Sequence, residues 1–212
     1  DINYTTDMDG QLLSRTVEIR PLGFMFNSGD ELHFKIWNKY DRIRLRETNN
    51  AKGYNIFGDT FIPLGPYSYW YGEINYTGSS KRKVYAYANT NRGDFYEGSR
   101  NYYNGGVTWK AGSRYAISGD ITYNDIDVEG DRFITREVGS RLSVDFSTRL
   151  SSSVFVQYNN QTQEVLTNFR LHYIPRIGSD LYIVYNHLMD EAYDYRAKRT
   201  TGVVKLNYTY RL

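Results

Sequence analysis

Apolar and polar side chains alternate along this chain in a series of segments, of which residues 203–212 form the clearest. The apolar or aromatic positions of that segment are Val204, Leu206, Tyr208, Tyr210 and Leu212. Successive side chains of a β-strand point to opposite faces, so each segment predicts a strand with one apolar and one polar face. Many such strands, with aromatic residues near their ends, are typical of a transmembrane β-barrel whose apolar face meets lipid.

The alternation predicts an all-β fold, a transmembrane antiparallel up-and-down β-barrel with about 11–12 visible strands. The predicted strands cover residues 15–26, 31–41, 67–77, 83–91, 102–111, 115–125, 133–148, 153–160, 165–174, 181–188 and 200–212. Short turns at residues 27–30, 78–82, 112–114, 149–152 and 175–180 alternate with longer polar loops at residues 42–66, 90–101, 126–132, 161–164 and 189–199. Outer-membrane barrels combine short periplasmic turns with longer external loops in this way.

Residues 1–13 are expected to form an external loop or a partial strand. Bacterial single-chain barrels usually have an even number of strands, so an odd number favours a chain that is the C-terminal part of a larger barrel. The alternative is that residues 1–10 contain one further strand. In both cases residues 1–212 are expected to form one outer-membrane barrel domain.

Charged side chains of the strands are predicted to face the inside of the barrel. A Lys or Arg that faces lipid at the middle of a bilayer costs about 2–4 kcal/mol, which favours the inward orientation. On one strand Leu32, Phe34 and Ile36 form the lipid-facing set, and His33 and Lys35 lie opposite. The predicted lumen-lining residues are His33, Lys35, Glu73, Lys110, Asp120, Arg141, Asp145, Arg170, His172 and Lys205.

Two predicted strands resist this assignment of faces. In residues 83–91 either the set with Tyr85 and Tyr87 or the set with Ala86 and Ala88 could face lipid. In the first strand, residues 21–23 read Pro-Leu-Gly, a composition that favours a β-bulge and a shift of register.

Composition supports a membrane protein only through its aromatic residues. The chain has 22 Tyr, 10 Phe and 3 Trp, and rings with one apolar and one polar end favour the membrane interface. An aromatic girdle accounts for Tyr67, Tyr69, Tyr71, Tyr76, Tyr102, Tyr103, Tyr208 and Tyr210. The mean hydropathy of −0.63 does not argue against this, because a transmembrane barrel alternates polar and apolar residues.

The charge and the cysteine content exclude other classes of site. The formal net charge of +2 argues against a nucleic-acid partner, which normally meets a basic face. The chain contains no Cys, which excludes disulfides, thiolate metal sites and cysteine nucleophiles. No stretch of about 18 apolar residues is present, which excludes transmembrane helices.

One acidic stretch has the composition of a metal site. Asp125, Asp127 and Glu129, followed by Gly130, resemble the start of a calcium-binding loop, since calcium prefers several hard oxygens at a sharp turn. The twelfth position of that loop would be Arg136 instead of the bidentate Glu. A solvated external hairpin explains the acids more simply, and no metal or cofactor is predicted.

Two further groups lie near the predicted external end. Asp190, Glu191 and Asp194 are expected in a charged loop that could meet lipopolysaccharide, although solvated loop charge is the default. His187 is close in sequence to Asp190, and such a pair could act as a general base. No nucleophile motif accompanies the pair, so no catalytic residue is predicted.

Several segments resemble one bacterial family. They are residues 62–67, 93–98, 156–159, 168–171 and 174–186, the last reading Ile-Pro-Arg-Ile-Gly-Ser-Asp-Leu-Tyr-Ile-Val-Tyr-Asn. Together they resemble the C-terminal outer-membrane barrel region, a domain of unknown function, of proteins that carry an N-terminal family-9-type carbohydrate-binding module. The resemblance implies a barrel larger than this chain, with its N-terminal part missing, and it supplies no established catalytic residues.

The favoured function is a non-enzymatic passage for small polar solutes, including saccharides, across the bacterial outer membrane. The expected partners are membrane lipid and lipopolysaccharide. A first alternative is a plugged barrel that anchors a binding domain or joins other envelope proteins. A barrel hydrolase using His187, and a soluble β-sandwich whose aromatic faces are packed inside, are the remaining alternatives.

Overall fold

The computed structural model describes residues 1–44, 53–128 and 130–209, apart from the side chain of Tyr193. Twelve strands of this described part form one sheet, whose order follows the order of the strands along the chain, and two short strands, Tyr54–Phe57 and Thr60–Ile62, form a separate hairpin. Each strand of the large sheet therefore neighbours the next large strand in the chain. The prediction of an all-β, antiparallel up-and-down fold is confirmed.

The bounds of the elements are β1 Ile2–Thr6, β2 Leu12–Met25, β3 Glu31–Ile43, β4 Tyr54–Phe57, β5 Thr60–Ile62, β6 Gly65–Thr77, β7 Val84–Phe95, β8 Gly98–Ala111, β9 Tyr115–Val128, β10 Asp131–Ser147, β11 Leu150–Asn159, β12 Glu164–Arg176, β13 Ser179–Asp190, a 3₁₀ turn at Glu191–Tyr193, and β14 Arg196–Asn207. Among the residues described, no helix has the length and apolar character needed to cross a membrane.

The strands of the large sheet are long. Apart from β1, they contain between 10 and 17 residues. Strands of globular proteins are usually about 5–6 residues long. A strand that crosses a bilayer at a tilt needs about 9–11 residues, so every strand from β2 onward in the large sheet is long enough to do so.

The predicted loops at residues 90–101 and 126–132 are wrong. β7 and β8 run up to a connection of Tyr96 and Glu97, and β9 extends to Val128. Toward the C-terminal end of β7, the face that carries Ala88 continues with the polar residues Thr90 and Arg92, and the other face carries Asn89 and Asn91. Because both sides are polar there, the period-2 signal ends before the strand does.

The beginning and the end of the chain also differ from the expectation. β1 pairs with β2 from Ile2 opposite Val17 to Thr6 opposite Leu12, so residues 1–10 contain a further strand and the sheet has an even number of strands among the described residues. β14 ends at Asn207, and the predicted strand residues 210–212 lie outside the described residues.

The bulge predicted at residues 21–23 is confirmed. The β2–β3 register shifts between Ile19, which pairs with Ile36, and Leu22, which pairs with Phe34. The shift places Gly23 beside His33, where a Cβ atom on residue 23 would lie 2.9 Å from His33 Nδ1. The missing side chain of glycine thus makes room for an imidazole on the polar face.

The chain divides into two compact units. Unit 1 contains residues 1–79, 87–104 and 123–135, and unit 2 contains residues 80–86, 105–122 and 136–212. The buried hydrophobic residues of the described chain, Ile62, Tyr67, Tyr69, Ile126 and Val128, all belong to unit 1. The expectation of one barrel domain over residues 1–212 stays a prediction.

Candidate functional site

The polar face of unit 1 carries a row of charged side chains in which acidic and basic groups are paired. Lys35 lies directly opposite Glu73 in the β3–β6 ladder, and its ammonium is 3.5 Å from that carboxylate and 3.8 Å from Glu18. Glu73 also accepts hydrogen bonds from Trp37 Nε1 at 3.1 Å and from Asn89 at 3.5 Å. The structure thus brings together Lys35 and Glu73, which the sequence assigned to the same face.

His33 lies on the same side of β3 as Lys35. Its Nε2 is 3.3 Å from Glu31 Oε2, whereas its Nδ1 is buried without a hydrogen-bond partner among the described residues. The alternation of β3 therefore places the three predicted residues of unit 1, His33, Lys35 and Glu73, on one face.

The opposite side of these strands is apolar and more exposed. Ile36 and Ile74, each next in sequence to one member of the central ion pair, are 42% and 43% exposed. The side chains of Lys35 and Glu73 are only 18% and 11% exposed. A water-soluble protein covers its apolar face and leaves its charges in water, so this distribution is inverted.

In unit 2, four predicted residues lie around one part of the polar face. Asp145 lies opposite Ser151, Ser151 lies opposite His172, and Arg170 lies opposite Ser153. Asp145 and His172 line a cavity of about 470 Å³, and both also line a smaller cavity of about 190 Å³ together with Arg170. Arg141, two residues before Ser143 on β10, stacks over the Phe155 ring at 4.6 Å.

His172 is held in place by two neighbours. Its Nε2 lies 2.8 Å from Asp180 Oδ1, and its ring is stacked on that of Tyr182 at 4.2 Å. Tyr182 in turn lies opposite Lys205 on β14, so the predicted lumen residue Lys205 shares this face.

The other two predicted residues of unit 2, Lys110 and Asp120, lie in close contact with neighbouring strands or turns. Lys110 Nζ donates to the carbonyl of Ser80 at 2.5 Å and lies 5.1 Å from the centre of the Tyr85 ring. Asp120 approaches Gly139 so closely that a Cβ there would lie 2.8 Å from its carboxylate. All ten predicted lumen residues thus have a defined place, while their lining of a lumen stays a prediction.

The hairpin β4–β5 lies on the polar face of unit 1. Its last residue, Ile62, is fully buried and packs with Tyr67 and Tyr69 of β6 and with Ile126 and Val128 of β9. Tyr67 and Tyr69 have the same strand parity as Glu73, which places this apolar cluster on the side of the charges. Phe57 stacks on Phe133 at 4.7 Å and 3°, and Thr60 contacts Asp131 at 3.3 Å.

The assignment of Tyr67, Tyr69 and Tyr71 to a lipid-facing girdle is therefore wrong. These rings occupy the face of Glu73, whereas Trp70 and Tyr76 lie on the side of Ile74. Tyr103 and Tyr208 are 51% and 61% exposed, as an interfacial ring requires.

Next to this apolar cluster lies a cavity of about 250 Å³, here called the Tyr96 cavity. Its aromatic lining consists of Tyr69, Tyr71, Phe95 and Tyr96, and its polar lining consists of Lys39, Asp41, Asn91, Asp94 and Arg100. Tyr69 donates to Asp41 at 3.2 Å, and Arg100 contacts Asn91 at 3.4 Å. Sequence reasoning missed this cavity because its residues come from four strands and a turn.

The backbone around Tyr96 is unusual. Tyr96 has φ 53°, in the left-handed region that residues other than Gly rarely adopt. A Cβ on Gly93 would lie 2.5 Å from the Trp70 carbonyl oxygen, and one on Gly98 would lie 1.8 Å from the Asp127 carbonyl oxygen. The two glycines of the motif at residues 93–98 thus allow close approach of neighbouring strands, and the turn presses the Tyr96 ring against Tyr69 at 5.2 Å.

Burial raises the pKa of the Tyr96 hydroxyl to about 12, and the nearby carboxylate of Asp41 adds to the shift. The phenol therefore stays neutral at any physiological pH and acts as a hydrogen-bonding group, not as a base.

The acidic candidates have structural partners. Asp125 is bonded by Arg132 at 2.8 and 2.7 Å. Glu129 lies outside the described residues. Within the described part of the chain, no group of three or more His, Asp or Glu side chains is arranged to hold a metal ion.

The second acidic group organises the last connection. Asp190 caps the 3₁₀ turn by accepting from the amide of Ala192, and it lies 3.6 Å from Lys198. Glu191 accepts from the Tyr158 hydroxyl at 2.6 Å.

His187 does not form the expected pair with Asp190. Its Nδ1 bonds the Thr200 hydroxyl at 2.9 Å. It lies opposite Thr167 on the face that also carries Phe169, whereas Asp190 has the opposite parity in β13.

Comparison with known proteins adds little. No protein-family model matches the chain, and no curated protein matches it in sequence. A solved structure described as a KdgM porin is similar over 93% of this chain and 92% of its own, with 8% identity and a TM-score of 0.39. A likeness this distant supports no argument about function, and the resemblance to proteins with a carbohydrate-binding module stays an expectation.

Proposed function

We propose that this chain is an integral β-barrel of the bacterial outer membrane whose polar face lines a passage for small polar solutes, including saccharides. The observation that carries the proposal is the inverted exposure of neighbouring residues. Ile36 and Ile74 are exposed on one face, while Lys35 and Glu73 are paired and largely buried on the other. Hydrocarbon is the environment that makes such an apolar face stable.

Strand length supports the same proposal. The strands from β2 onward in the large sheet have at least 10 residues, which matches the thickness of a bilayer crossed at a tilt. Every large-sheet strand from β2 to β13 has a paired neighbour on both sides, which supports the proposal because lipid offers backbone groups no other hydrogen-bond partner.

The polar face suits passage better than catalysis. It carries both signs of charge, in the Lys35–Glu73 pair and around His172, and such residues tune the selectivity of aqueous pores. His187, the residue weighed for a hydrolase, is bonded to Thr200 on the apolar side. We therefore propose a non-enzymatic protein, with its charged outer connections in contact with lipopolysaccharide.

Conductance of the refolded chain in planar bilayers tests this function. We expect discrete, voltage-tolerant conductance steps that require insertion into lipid. The proposal fails if the chain stays monomeric and folded in buffer without detergent, because its apolar face would then have to be covered by protein.

The plugged barrel is the second candidate, and the β4–β5 hairpin favours it. Ile62 is fully buried on the polar face, so the hairpin occupies space that a passage would use. A variant in which a short Gly-Ser linker replaces residues 54–62 distinguishes the plugged barrel from the open passage. A plugged barrel predicts no conductance in the parent and conductance in the variant, whereas a constricted passage predicts conductance in both, larger in the variant.

A further inference from the structure

The Tyr96 cavity contains charged groups that do not neutralise one another. Lys39 has no hydrogen bond or ion pair with any described residue. No ion pair among the described residues joins Lys39 or Arg100 to Asp41 or Asp94, although all four line the same cavity. Asp41 and Arg100 each form one hydrogen bond within the cavity, to Tyr69 and Asn91 respectively. Their remaining oxygen and N–H groups, and the Lys39 ammonium, are available to a ligand.

The composition of the lining restricts the chemistry of that ligand. Two basic and two acidic side chains balance in charge, which disfavours a simple anion or cation. Asn91 adds an amide, so the lining offers both donors and acceptors. Such a set suits a molecule with several adjacent hydroxyl groups, each of which both donates and accepts.

The aromatic side of the cavity restricts its shape. Tyr69 and Tyr71 on β6 and Phe95 and Tyr96 at the β7 turn form an apolar wall. An amphipathic ring, apolar on its faces and polar around its edge, satisfies both sides at once. The volume of about 250 Å³ lies just below the roughly 300–1,000 Å³ of pockets for drug-sized ligands, so one small ring fits better than an oligomer.

The strained backbone of the turn at Tyr96 indicates that the surrounding structure holds the aromatic wall of the cavity in place. Tyr96 is held at φ 53° and its ring contacts Tyr67 at 5.3 Å and Phe95 at 4.9 Å. Residues kept in rarely populated backbone regions cluster at binding sites, because the surrounding structure has to enforce them.

We propose that the Tyr96 cavity is a binding site for a single neutral pyranose ring, with Asp41 and Arg100 bonding its hydroxyls and the tyrosine wall packing on its face. This deepens the proposed passage function and rests on it, since the ring reaches the cavity from the aqueous side of the sheet. Lys39, without a partner among the described residues, supplies a further donor.

Calorimetric titration of the full chain in detergent micelles tests the site with four probes: methyl glucoside, methyl galactoside, methyl mannoside and glycine. We expect at least one glycoside to bind and the zwitterionic glycine not to bind. Asp41→Asn and Lys39→Met should each weaken the glycoside at least tenfold. Lys81→Met, which removes a lysine from an exposed turn outside the cavity, should leave the affinity within twofold.

The outcomes separate cleanly. Binding of none of the three glycosides, tighter binding of glycine, or equal affinity in Asp41→Asn, Lys39→Met and the parent each overturns the site. If Asp41→Asn fails to fold, Lys39→Met decides, because it removes an ammonium without a described partner. If the chain conducts ions but binds no glycoside, the proposed passage is retained and only the binding site is rejected. If the chain binds a glycoside but conducts no ions, the proposed passage is rejected.

Discussion

Lys35 Nζ lies 3.5 Å from Glu73 Oε1, and the two residues stand directly opposite each other in the β3–β6 ladder. Glu18 approaches the same ammonium at 3.8 Å, so one cation lies between two carboxylates. The polar face of unit 1 is therefore a connected electrostatic row. Lys35 is the cation that separates the two carboxylates in this row.

Removing that middle charge should destabilise the protein. Lys35→Met leaves Glu18 and Glu73 facing each other without a cation, and an uncompensated, largely buried polar group costs about 1–3 kcal/mol. Urea unfolding followed by tryptophan fluorescence measures the loss. Lys81→Met in an exposed turn is the control, and an equal effect of the two substitutions would show that the row contributes nothing.

The two sides of β6 should respond oppositely to an added charge. Ile74 lies between the flanking rings of Trp70 and Tyr76 on the apolar face, so Ile74→Arg should cost about 2–4 kcal/mol if that face meets mid-bilayer lipid. The neighbouring substitution Asn75→Arg points to the polar face and should cost little. The yield of heat-modifiable, inserted protein in vesicles measures both. Equal insertion of the two variants would contradict a lipid-facing Ile74.

The turn motif at residues 93–98 should tolerate no side chain at its last glycine. A Cβ on Gly98 would lie 1.8 Å from the Asp127 carbonyl oxygen, whereas a Cβ on Gly72 would meet no atom within 4 Å. Overpacking of this kind typically costs about 1–3 kcal/mol. Thermal unfolding should thus show a lower midpoint for Gly98→Ala, with Gly72→Ala close to the parent. A neutral Gly98→Ala would mean that the two strands are farther apart than described.

The first turn should loosen on acidification. The hydrogen bond from Arg44, followed by that from the Gln11 amide, lowers the pKa of the Asp7 carboxyl below its usual value of 3.8. Because the folded pKa is the lower one, the contribution is fully present above the unfolded pKa and is lost as pH falls through the folded pKa.

Hydrogen exchange of two amides reports this turn, since Asp7 Oδ1 accepts from Asp9 N at 3.1 Å and from Gln11 N at 2.8 Å. Protection should hold at pH 6 and decline below pH 3.8. Asp7→Asn should show weaker protection that no longer depends on pH in this range. Unchanged acid dependence in that variant would assign the effect to another group.

Much of the sheet could be predicted from the sequence because alternation is a local signal. Phe34, assigned to the lipid-facing set from the residues alone, pairs with Leu22 on one side and Ile74 on the other. The undecided strand is resolved by its register: Ala88 lies opposite Tyr76, so the Ala86 and Ala88 set shares the apolar side. The signal failed where both sides of a strand are polar, as at Arg92.

The candidate site could be predicted less well, because it depends on contacts between distant segments. The positions of Tyr69 and Tyr71 on the charged face could have been read from their shared parity with Glu73, but their abundance suggested a girdle. Nothing local places Ile62, from a separate hairpin, beside Val128. Packing of this kind depends on loop closure, which the local pattern of residues does not encode.

The row through Glu18, Lys35 and Glu73 also bears on how the sheet assembles. A slip of one residue between β3 and β6 would turn Glu73 to the side of Ile36, because a strand changes face with every residue. In a bilayer such a misaligned pair would expose a charge to hydrocarbon and leave its partner unmatched. In the proposed membrane setting, the paired charges thus favour the native alignment of β3 and β6 over a slipped one.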